Sequence, residues 1–129
     1  MITNRRTMSR IIISLGTNHD KYHNMSKAKD MLCGIFGSGI SFTRSVETKP
    51  IGVVSADYLN ALAVIETGMS YKEAEGCLKG IERECGRDRT KEPEVAMDID
   101  ILEYNGKKER LKDWERGYVK ALMDELALD

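Results

Sequence analysis

Apolar residues fall along the chain in blocks whose spacing separates strands from helices. Residues 10–15 (RIIISL) form a β-branched run that stops before Gly16, which predicts a buried strand. Residues 58–66 (YLNALAVIE) are a second run of this kind and predict a second core strand. Residues 40–48 (ISFTRSVET) alternate apolar and polar side chains, which predicts a half-exposed strand. Such a strand at a sheet edge is available for pairing with another chain, so the oligomeric state stays open.

Two further blocks have helical spacing. Apolar residues three or four apart predict a helix that begins at 19 or 20 and runs to 36, before a Gly-Ser-Gly turn. Ser70 and Glu73 form a capping box at the start of a second helix. Gly86 is expected to end that second helix as its C-cap.

The last predicted strand carries a pair of acids. Residues 97–104 (MDIDILEY) set Asp98 and Asp100 among apolar neighbours, and an Asn-Gly turn follows. A final helix is predicted over 111–126, with Gly117 as a weak point inside it.

The order of these elements predicts the fold class. Strand, helix, strand, strand, helix and strand make a βαββαβ core, the ferredoxin-like α+β arrangement. We expect an antiparallel sheet with helices on one face and an additional C-terminal helix. A chain of 129 residues is one domain by length, expected over 10–129. The polar, basic residues 1–9 are expected to be a disordered lead-in, with Met8 as an alternative start.

Charge and cysteine content exclude several function classes. The formal net charge is −1, so no global basic field favours nucleic acid or an anionic membrane as a partner. The apolar runs are too short to cross a membrane, and the run at 11–15 is too short for a signal peptide. The 3 cysteines are odd in number and lack CxxC spacing, so we expect free thiols. These features predict a cytoplasmic protein.

Asp98 and Asp100 are the strongest candidates for chemistry. Residues i and i+2 of a strand point to the same face, so their Cα atoms are expected roughly 6–7 Å apart. Two like charges on one face repel each other unless a cation lies between them. Mg²⁺ shared with substrate phosphates suits a site with two carboxylates. The alternative is a solvated sheet edge, against which the apolar Ile99 and Ile101 on the opposite face argue.

Two other groups suit a phosphate-transfer site. Arg87, Arg89 and Lys91 place three cations in a predicted loop, where they are able to clamp phosphate oxygens. A solvated charge run is the alternative reading, and no Walker A motif is present. Tyr58 and Asn60 share a strand face, and a ring beside an amide suits a flat heterocycle with polar edges. A rim tyrosine beside a satisfied amide is equally compatible with that spacing.

Together these segments resemble the 6-hydroxymethyl-7,8-dihydropterin pyrophosphokinase family of folate biosynthesis. The matching stretches are IIISLGTN at 11–18, DYLNALAVIET at 57–67, IERECGRDR at 81–89, MDIDILEYNG at 97–106 and, more weakly, ERGYVKALMDEL at 115–126. The resemblance covers nearly the whole chain from Ile11 and implies a ferredoxin-like fold. It implies that ATP and a dihydropterin are the substrates. The terminal pyrophosphoryl group of ATP would pass to the hydroxymethyl oxygen of the pterin, leaving AMP.

The resemblance also implies roles for individual residues. Asp98 and Asp100 would hold two Mg²⁺ ions that bridge the ATP phosphates and the attacking hydroxyl. Arg87 and Arg89 would complete the catalytic set. A pterin ring stacked between two tyrosines would be bound by Thr48, Ile51, Tyr58, Asn60 and Tyr118. The residues around the nucleotide would be Glu82, Arg87, Arg89 and Arg116.

The chain departs from the family pattern at three places. Residues 92–96 (EPEVA) stand where the family has a Trp-Gly-Pro-Arg-Thr-like segment, and Val95 takes the position of a phosphate-contacting arginine. A Pro-His segment is missing between Gly106 and Trp114, and Lys49 replaces a pocket proline. Two alternatives therefore stay open: a homologue that binds nucleotide or pterin with impaired catalysis, and a ferredoxin-like interaction module without enzymatic activity.

Overall fold

The chain folds into an antiparallel sheet with helices on both faces. The computed structural model describes residues 7–50, 52, 55–126 and 128. The strands are β1 (Ser9–Thr17), β2 (Ile40–Phe42), β3 (Val46–Thr48), β4 (Tyr58–Thr67), β5 (Asp98–Tyr104) and β6 (Lys107–Lys108). The helices are α1 (Lys21–Phe36), α2 (Tyr71–Glu84), α3 (Leu111–Trp114) and α4 (Gly117–Met123), with 3-10 turns at Gly37–Gly39 and Arg89–Lys91.

The strand order confirms the predicted fold class. The sheet runs β2-β4-β1-β5-β6, and β3 also pairs with β4. Each of these pairings is antiparallel. Because β2 and β3 are the two halves of the strand predicted over 40–48, the order is second, third, first and fourth strand, as in a ferredoxin-like fold.

The strand predicted over 40–48 is broken, and Thr43 is the reason. Its N–H donates to the carbonyl of Leu62 at 2.9 Å, and its buried hydroxyl accepts from the Leu62 N–H at 3.0 Å. The hydroxyl therefore takes the place of a backbone carbonyl in the ladder. The prediction of one continuous strand is wrong at this point, and β3 begins again at Val46.

Two separate cores lie on the two faces of the sheet. On one face, alternate residues of β1 pack with α1 and α2, including Ile11, Ile13, Leu32 and Ile81. On the other face, the apolar cluster comprises Ile12, Leu62, Leu102, Val119, Leu122 and Leu126. Because β1 is buried on both sides, its sequence is a continuous apolar run rather than an alternating one.

Local signals set the ends of α2 as predicted. Ser70 Oγ accepts from the Glu73 N–H at 3.2 Å, and Glu73 Oε1 accepts from the Ser70 N–H at 2.9 Å, which is a complete capping box. Gly86 follows the end of the helix with a φ of 94°, a conformation that favours glycine.

The single helix predicted over 111–126 is two helices. Arg116 has extended φ and ψ angles of −69° and 137°, and Gly117 opens α4. The Trp114 indole N–H lies 3.0 Å from the carbonyls of both Leu102 and Glu109, which holds α3 beside β5. α4 turns away from α3 and packs on the sheet through Val119 and Leu122. A continuous helix would not satisfy both this packing and the Trp114 contact with β5.

Other predictions concern the ends and the thiols. Residues 1–6 of the predicted lead-in lie outside the described residues, and β1 begins within the remainder, at Ser9. Cys33, Cys77 and Cys85 are free, as predicted. Among the described residues, no helix has both the length and the apolar character needed to span a membrane.

Candidate active site

A cavity of about 390 Å³, the ring cavity, lies on the face of the sheet that α4 covers. Its floor comes from three neighbouring strands, and the residues are Ser14, Gly16, Tyr58, Asn60, Asp98 and Asp100. The strand register explains this grouping, because Gly16 of β1 lies opposite both Asn60 of β4 and Asp98 of β5. Sheet pairing therefore brings together residues that are 38 or more positions apart in the chain.

Gly16 keeps the floor of the ring cavity open. A Cβ atom at this position would lie 3.1 Å from Asn60 Oδ1 and 3.7 Å from the ring of Tyr58. Any side chain would also occupy space between the aromatic residue and the acids. The glycine is needed here for close approach, and its φ is not in the left-handed region.

Asp98 and Asp100 share the cavity face because they alternate with buried residues. Ile99 and Ile101 point into the core beneath α1 and α2, so the two acids point the other way. Burial raises the pKa of Asp100 to about 7, and the charge of Asp98 acts in the same direction. Arg110 opposes this rise, with its Nη1 atom 3.7 Å from Asp100 Oδ1.

This acid pair fits a cation that is shared with a ligand. The raised pKa of Asp100 means that its anionic form is unfavourable beside Asp98 in this sheltered place. A bound positive charge would stabilise both carboxylates as anions. Within the part of the chain that the structure describes, no group of three or more His, Cys, Asp or Glu side chains is placed to hold a metal ion. A Mg²⁺ ion with two protein carboxylates and further oxygens from a substrate matches such a donor set.

Glu82 lies behind the acid pair, at the edge of β5. Its Oε2 atom accepts from the Ile99 N–H at 2.7 Å, and Lys79 Nζ lies 3.5 Å from Oε1. Burial raises the pKa of Glu82, while the Ile99 N–H and Lys79 lower it and Asp98 adds to the rise. Glu82 therefore holds the edge of β5 in place, directly beside Asp98.

A second cavity of about 280 Å³, the edge cavity, runs along this edge of β5. β6 pairs with the last two residues of β5, and α2 borders the edge before them. The lining includes Tyr71, Glu75, Lys79, Ile101 and Glu109. Asp100 and Arg110 line both the edge cavity and the ring cavity, so the two cavities meet at these residues.

One wall of the ring cavity is a row of charged residues that begins before α3 and ends at α4. Asp113 accepts from Arg110 Nε at 2.6 Å and lies 3.4 Å from Arg116 Nε. Tyr118 follows in the same wall, where burial raises its pKa and the charge of Arg116 opposes the rise. The sequence analysis identified Arg116 and Tyr118 but missed Arg110 and Asp113. The repeated three-residue spacing of opposite charges was the signal for them.

The opposite wall consists of Thr48, Lys49 and Pro50. Asn60 Nδ2 donates to Thr48 Oγ1 at 2.5 Å, which fixes the orientation of the buried amide. Ile51, predicted to line this pocket, lies outside the described residues. Burial raises the pKa of Tyr58, and the charge of Asp98, which lines the same cavity, acts in the same direction.

The two arginines predicted to be catalytic have different surroundings. The Arg87 side chain is 8% exposed and lies 3.3 Å from Glu92 Oε1. Its Nε and Nη1 atoms have no hydrogen-bond partner among the described residues. Its charge lowers the pKa of Tyr58 against the effect of burial, but its side chain lines neither cavity. Arg89 is exposed on the 3-10 turn and lines neither cavity.

Sequence comparison identifies the family to which the chain is related. A sequence model of the family described as 7,8-dihydro-6-hydroxymethylpterin-pyrophosphokinase matches residues 12–127. The chain belongs to this family. A search of curated proteins finds no match. The family is one of pterin pyrophosphokinases of folate biosynthesis, and this chain has its fold.

Among solved structures, one similar chain is a dinuclear metal-binding peptidase of the M20 family from Bacillus subtilis. It is 10% identical, with a TM-score of 0.38 over 79% of this chain. The chain spans 26% of the length of that peptidase. Such a likeness gives no information on the function of this pyrophosphokinase family member.

Residues 92–96, the segment expected to differ from the family pattern, are bound to the β1–α1 turn. Asn18 Oδ1 accepts from the Val95 N–H at 2.6 Å, and the Asn18 N–H donates to the Val95 carbonyl at 3.0 Å. Asn18 Nδ2 also donates to the Pro93 carbonyl at 2.9 Å. The Val95 side chain is apolar and buried, so the position where the resemblance implies an arginine brings no cation to the ring cavity.

Proposed function

We propose that the protein transfers the terminal pyrophosphoryl group of ATP to the hydroxymethyl oxygen of 6-hydroxymethyl-7,8-dihydropterin. The observation that carries this proposal is the meeting of two cavities at Asp100 and Arg110. A transfer between two substrates needs two adjoining pockets with the reacting atoms at their junction. A carboxylate and a guanidinium at that junction are suited to a metal-bound polyphosphate.

The ring cavity is suited to the pterin. Its volume of about 390 Å³ lies in the range of small-molecule sites. Tyr58 in its floor and Tyr118 in one wall offer faces for a flat ring. Asn60, oriented by Thr48, presents amide oxygen and nitrogen atoms to the polar edge of the heterocycle.

The edge cavity is suited to the nucleoside part of ATP, with the phosphates directed to the junction. Lys79 and Arg110 supply positive charge on this path. Asp98 and Asp100 would hold Mg²⁺, which neutralises phosphate charge and polarises the attacking hydroxyl when bound. Arg87 has two buried nitrogen atoms without partners in the described part of the chain, so its guanidinium is able to donate to a phosphate oxygen that reaches it without losing another contact.

The reaction then follows from positioning. The hydroxymethyl oxygen of the pterin attacks the β-phosphorus of ATP, and the bond from that phosphorus to the α–β bridging oxygen breaks. AMP leaves with the bridging oxygen, and the hydroxyl proton is released. The residues of this site bring the two reactants together and balance charge, which is the usual protein contribution to phosphoryl transfer.

The test is AMP formation from ATP, Mg²⁺ and 6-hydroxymethyl-7,8-dihydropterin. We expect the wild-type protein to form AMP and Asp98→Asn to lose about 10²–10³-fold in kcat, because one charged contact to the phosphate site is removed. Asp124→Asn, an exposed acid near the end of the chain, is the matched control and should retain wild-type kcat. AMP formation that survives Asp98→Asn unchanged would exclude this mechanism.

Val95 favours a second candidate function, the binding of nucleotide or pterin without turnover. Its burial leaves the phosphates without the cation that other pyrophosphokinases are expected to supply from this position. Calorimetric binding of Mg²⁺ with a non-hydrolysable ATP analogue, in a protein that forms no AMP, would establish this second function. Absence of both signals would leave the interaction module.

A further inference from the structure

We propose that Asp113 is a positioning residue that holds Arg110 and Arg116 in register along one wall of the ring cavity. The inference rests on the proposed function, because it takes the two arginines as groups that face the substrates during pyrophosphoryl transfer. Asp113 itself acts through the arginines and needs no contact with substrate. No part of the family resemblance assigns it a role.

The geometry places one carboxylate between two guanidinium groups. Asp113 Oδ2 lies 2.6 Å from Arg110 Nε, and Oδ1 lies 3.4 Å from Arg116 Nε. Asp113 is 15% exposed, whereas the arginines are 50% and 46% exposed. The carboxylate is therefore the sheltered, fixed member of the group, and long flexible side chains are ordered by it.

The two arginines extend this contact along the wall in both directions. Arg110 Nη1 reaches 3.7 Å from Asp100 Oδ1, at the junction with the edge cavity. Arg116 lies beside Tyr118 in the wall expected to face the pterin. A continuous charged row thus joins the phosphate end of the site to the ring end, with Asp113 at its centre.

The local backbone explains why Asp113 is placed correctly. Arg110 adopts a left-handed φ of 50° and begins α3, whose Asp113 N–H donates to the Arg110 carbonyl at 2.8 Å. The Arg116 N–H in turn donates to the Asp113 carbonyl at 3.1 Å. Trp114, which follows Asp113 in the chain, donates its indole N–H to the carbonyl of Leu102 in β5. This bond fixes the distance between the charged row and β5, the strand that carries Asp98 and Asp100.

Positioning and simple electrostatics predict opposite results. Asp113→Asn removes a negative charge next to the expected phosphate site, so electrostatics alone predicts tighter binding of a polyphosphate. If Asp113 orders the arginines, the same variant releases both guanidinium groups and weakens catalysis despite the more favourable net charge. The direction of the change therefore separates the two roles.

The first experiment measures kcat and KM of the full-length protein with ATP, Mg²⁺ and the dihydropterin. We expect Asp113→Asn to lower kcat by about 10- to 100-fold, and Asp113→Glu to restore part of the loss. In an Arg110→Ala/Arg116→Ala background, Asp113→Asn should lower kcat by less than about twofold more, because its targets are gone. Asp124→Asn serves as the charge-matched control, and circular dichroism checks the fold.

A wild-type kcat in Asp113→Asn, or an equal loss with and without the two arginines, would overturn the inference. If the wild-type protein forms no AMP, the proposed function fails by itself. Calorimetry with Mg²⁺ and α,β-methylene-ATP then decides on Asp113. Affinity at least about fivefold weaker in Asp113→Asn supports positioning, and unchanged or tighter binding overturns it.

Discussion

At the scale of single residues, the site is costly to the folded protein before any ligand binds. Burial and Asp98 raise the pKa of Asp100 to about 7, and burial also raises the pKa of Glu82. Both carboxylates are destabilised as anions in the ligand-free state. A bound cation would relieve this unfavourable arrangement, so the residues that weaken the free protein are the ones that we expect to favour binding.

This cost predicts a pH dependence of stability that Asp100→Asn should remove. The folded pKa is raised above the unfolded value, so the folded state holds a proton that the unfolded state loses between about pH 4 and 7. The free energy of unfolding should therefore fall as pH rises through this window, by at most about 4 kcal/mol for Asp100.

Urea unfolding at pH 4 and pH 8, with a chelator present, checks the prediction. Asp100→Asn should be more stable than the wild-type protein at pH 8 and close to it near pH 4. A variant that is equally destabilised at both pH values would show that Asp100 is needed for folding in its charged form.

At the scale of elements, the sequence predicts structure where the signals are local. The apolar run of β1 and the capping box of α2 involve neighbouring residues, so both were predicted. The break in the strand over 40–48 depends on Thr43 bonding to Leu62, a partner that no local pattern reveals. The division into α3 and α4 similarly depends on the Trp114 bond to Leu102. Arg110 and Asp113, which line the ring cavity, lie just before α3 and within it.

Trp114→Phe should therefore affect the site more than its position suggests. The ring would still pack, but the N–H contacts 3.0 Å from the Leu102 and Glu109 carbonyls would be lost. We expect a loss of about 1–2 kcal/mol in the free energy of unfolding. We also expect kcat to fall, because α3 carries Asp113 and is preceded by Arg110.

Denaturant unfolding and AMP assays on the same preparation check both effects. Tyr22→Phe, an exposed aromatic residue on α1 at a distance from α3 in the chain, is the control for loss of one polar group. Loss of stability without loss of kcat would indicate that α3 does not place the charged row.

At the scale of the whole molecule, the two layers of helices have different tasks. α1 and α2 cover the larger core, while α4 covers the smaller one and leaves the ring cavity open beside it. β5 belongs to both arrangements, with isoleucines toward the larger core and acids toward the cavity. Ligands at the junction therefore contact the strand that both cores hold in place.

The whole fold should consequently be stabilised by ligand and only in the presence of Mg²⁺. At a free concentration of 100 times Kd, a ligand that binds the folded state alone adds about 2.7 kcal/mol, which corresponds to about 10 °C in the melting temperature of a domain of this size. We expect α,β-methylene-ATP with Mg²⁺ to give such a shift, and Asp98→Asn to abolish the Mg²⁺-dependent part while Asp124→Asn retains it. Because both cavities share Asp100 and Arg110, adding the dihydropterin as well should raise the melting temperature further. A protein whose melting temperature responds to neither ligand would have the fold of a pyrophosphokinase without its binding site, since the acid strand could not then be holding a metal-bound polyphosphate.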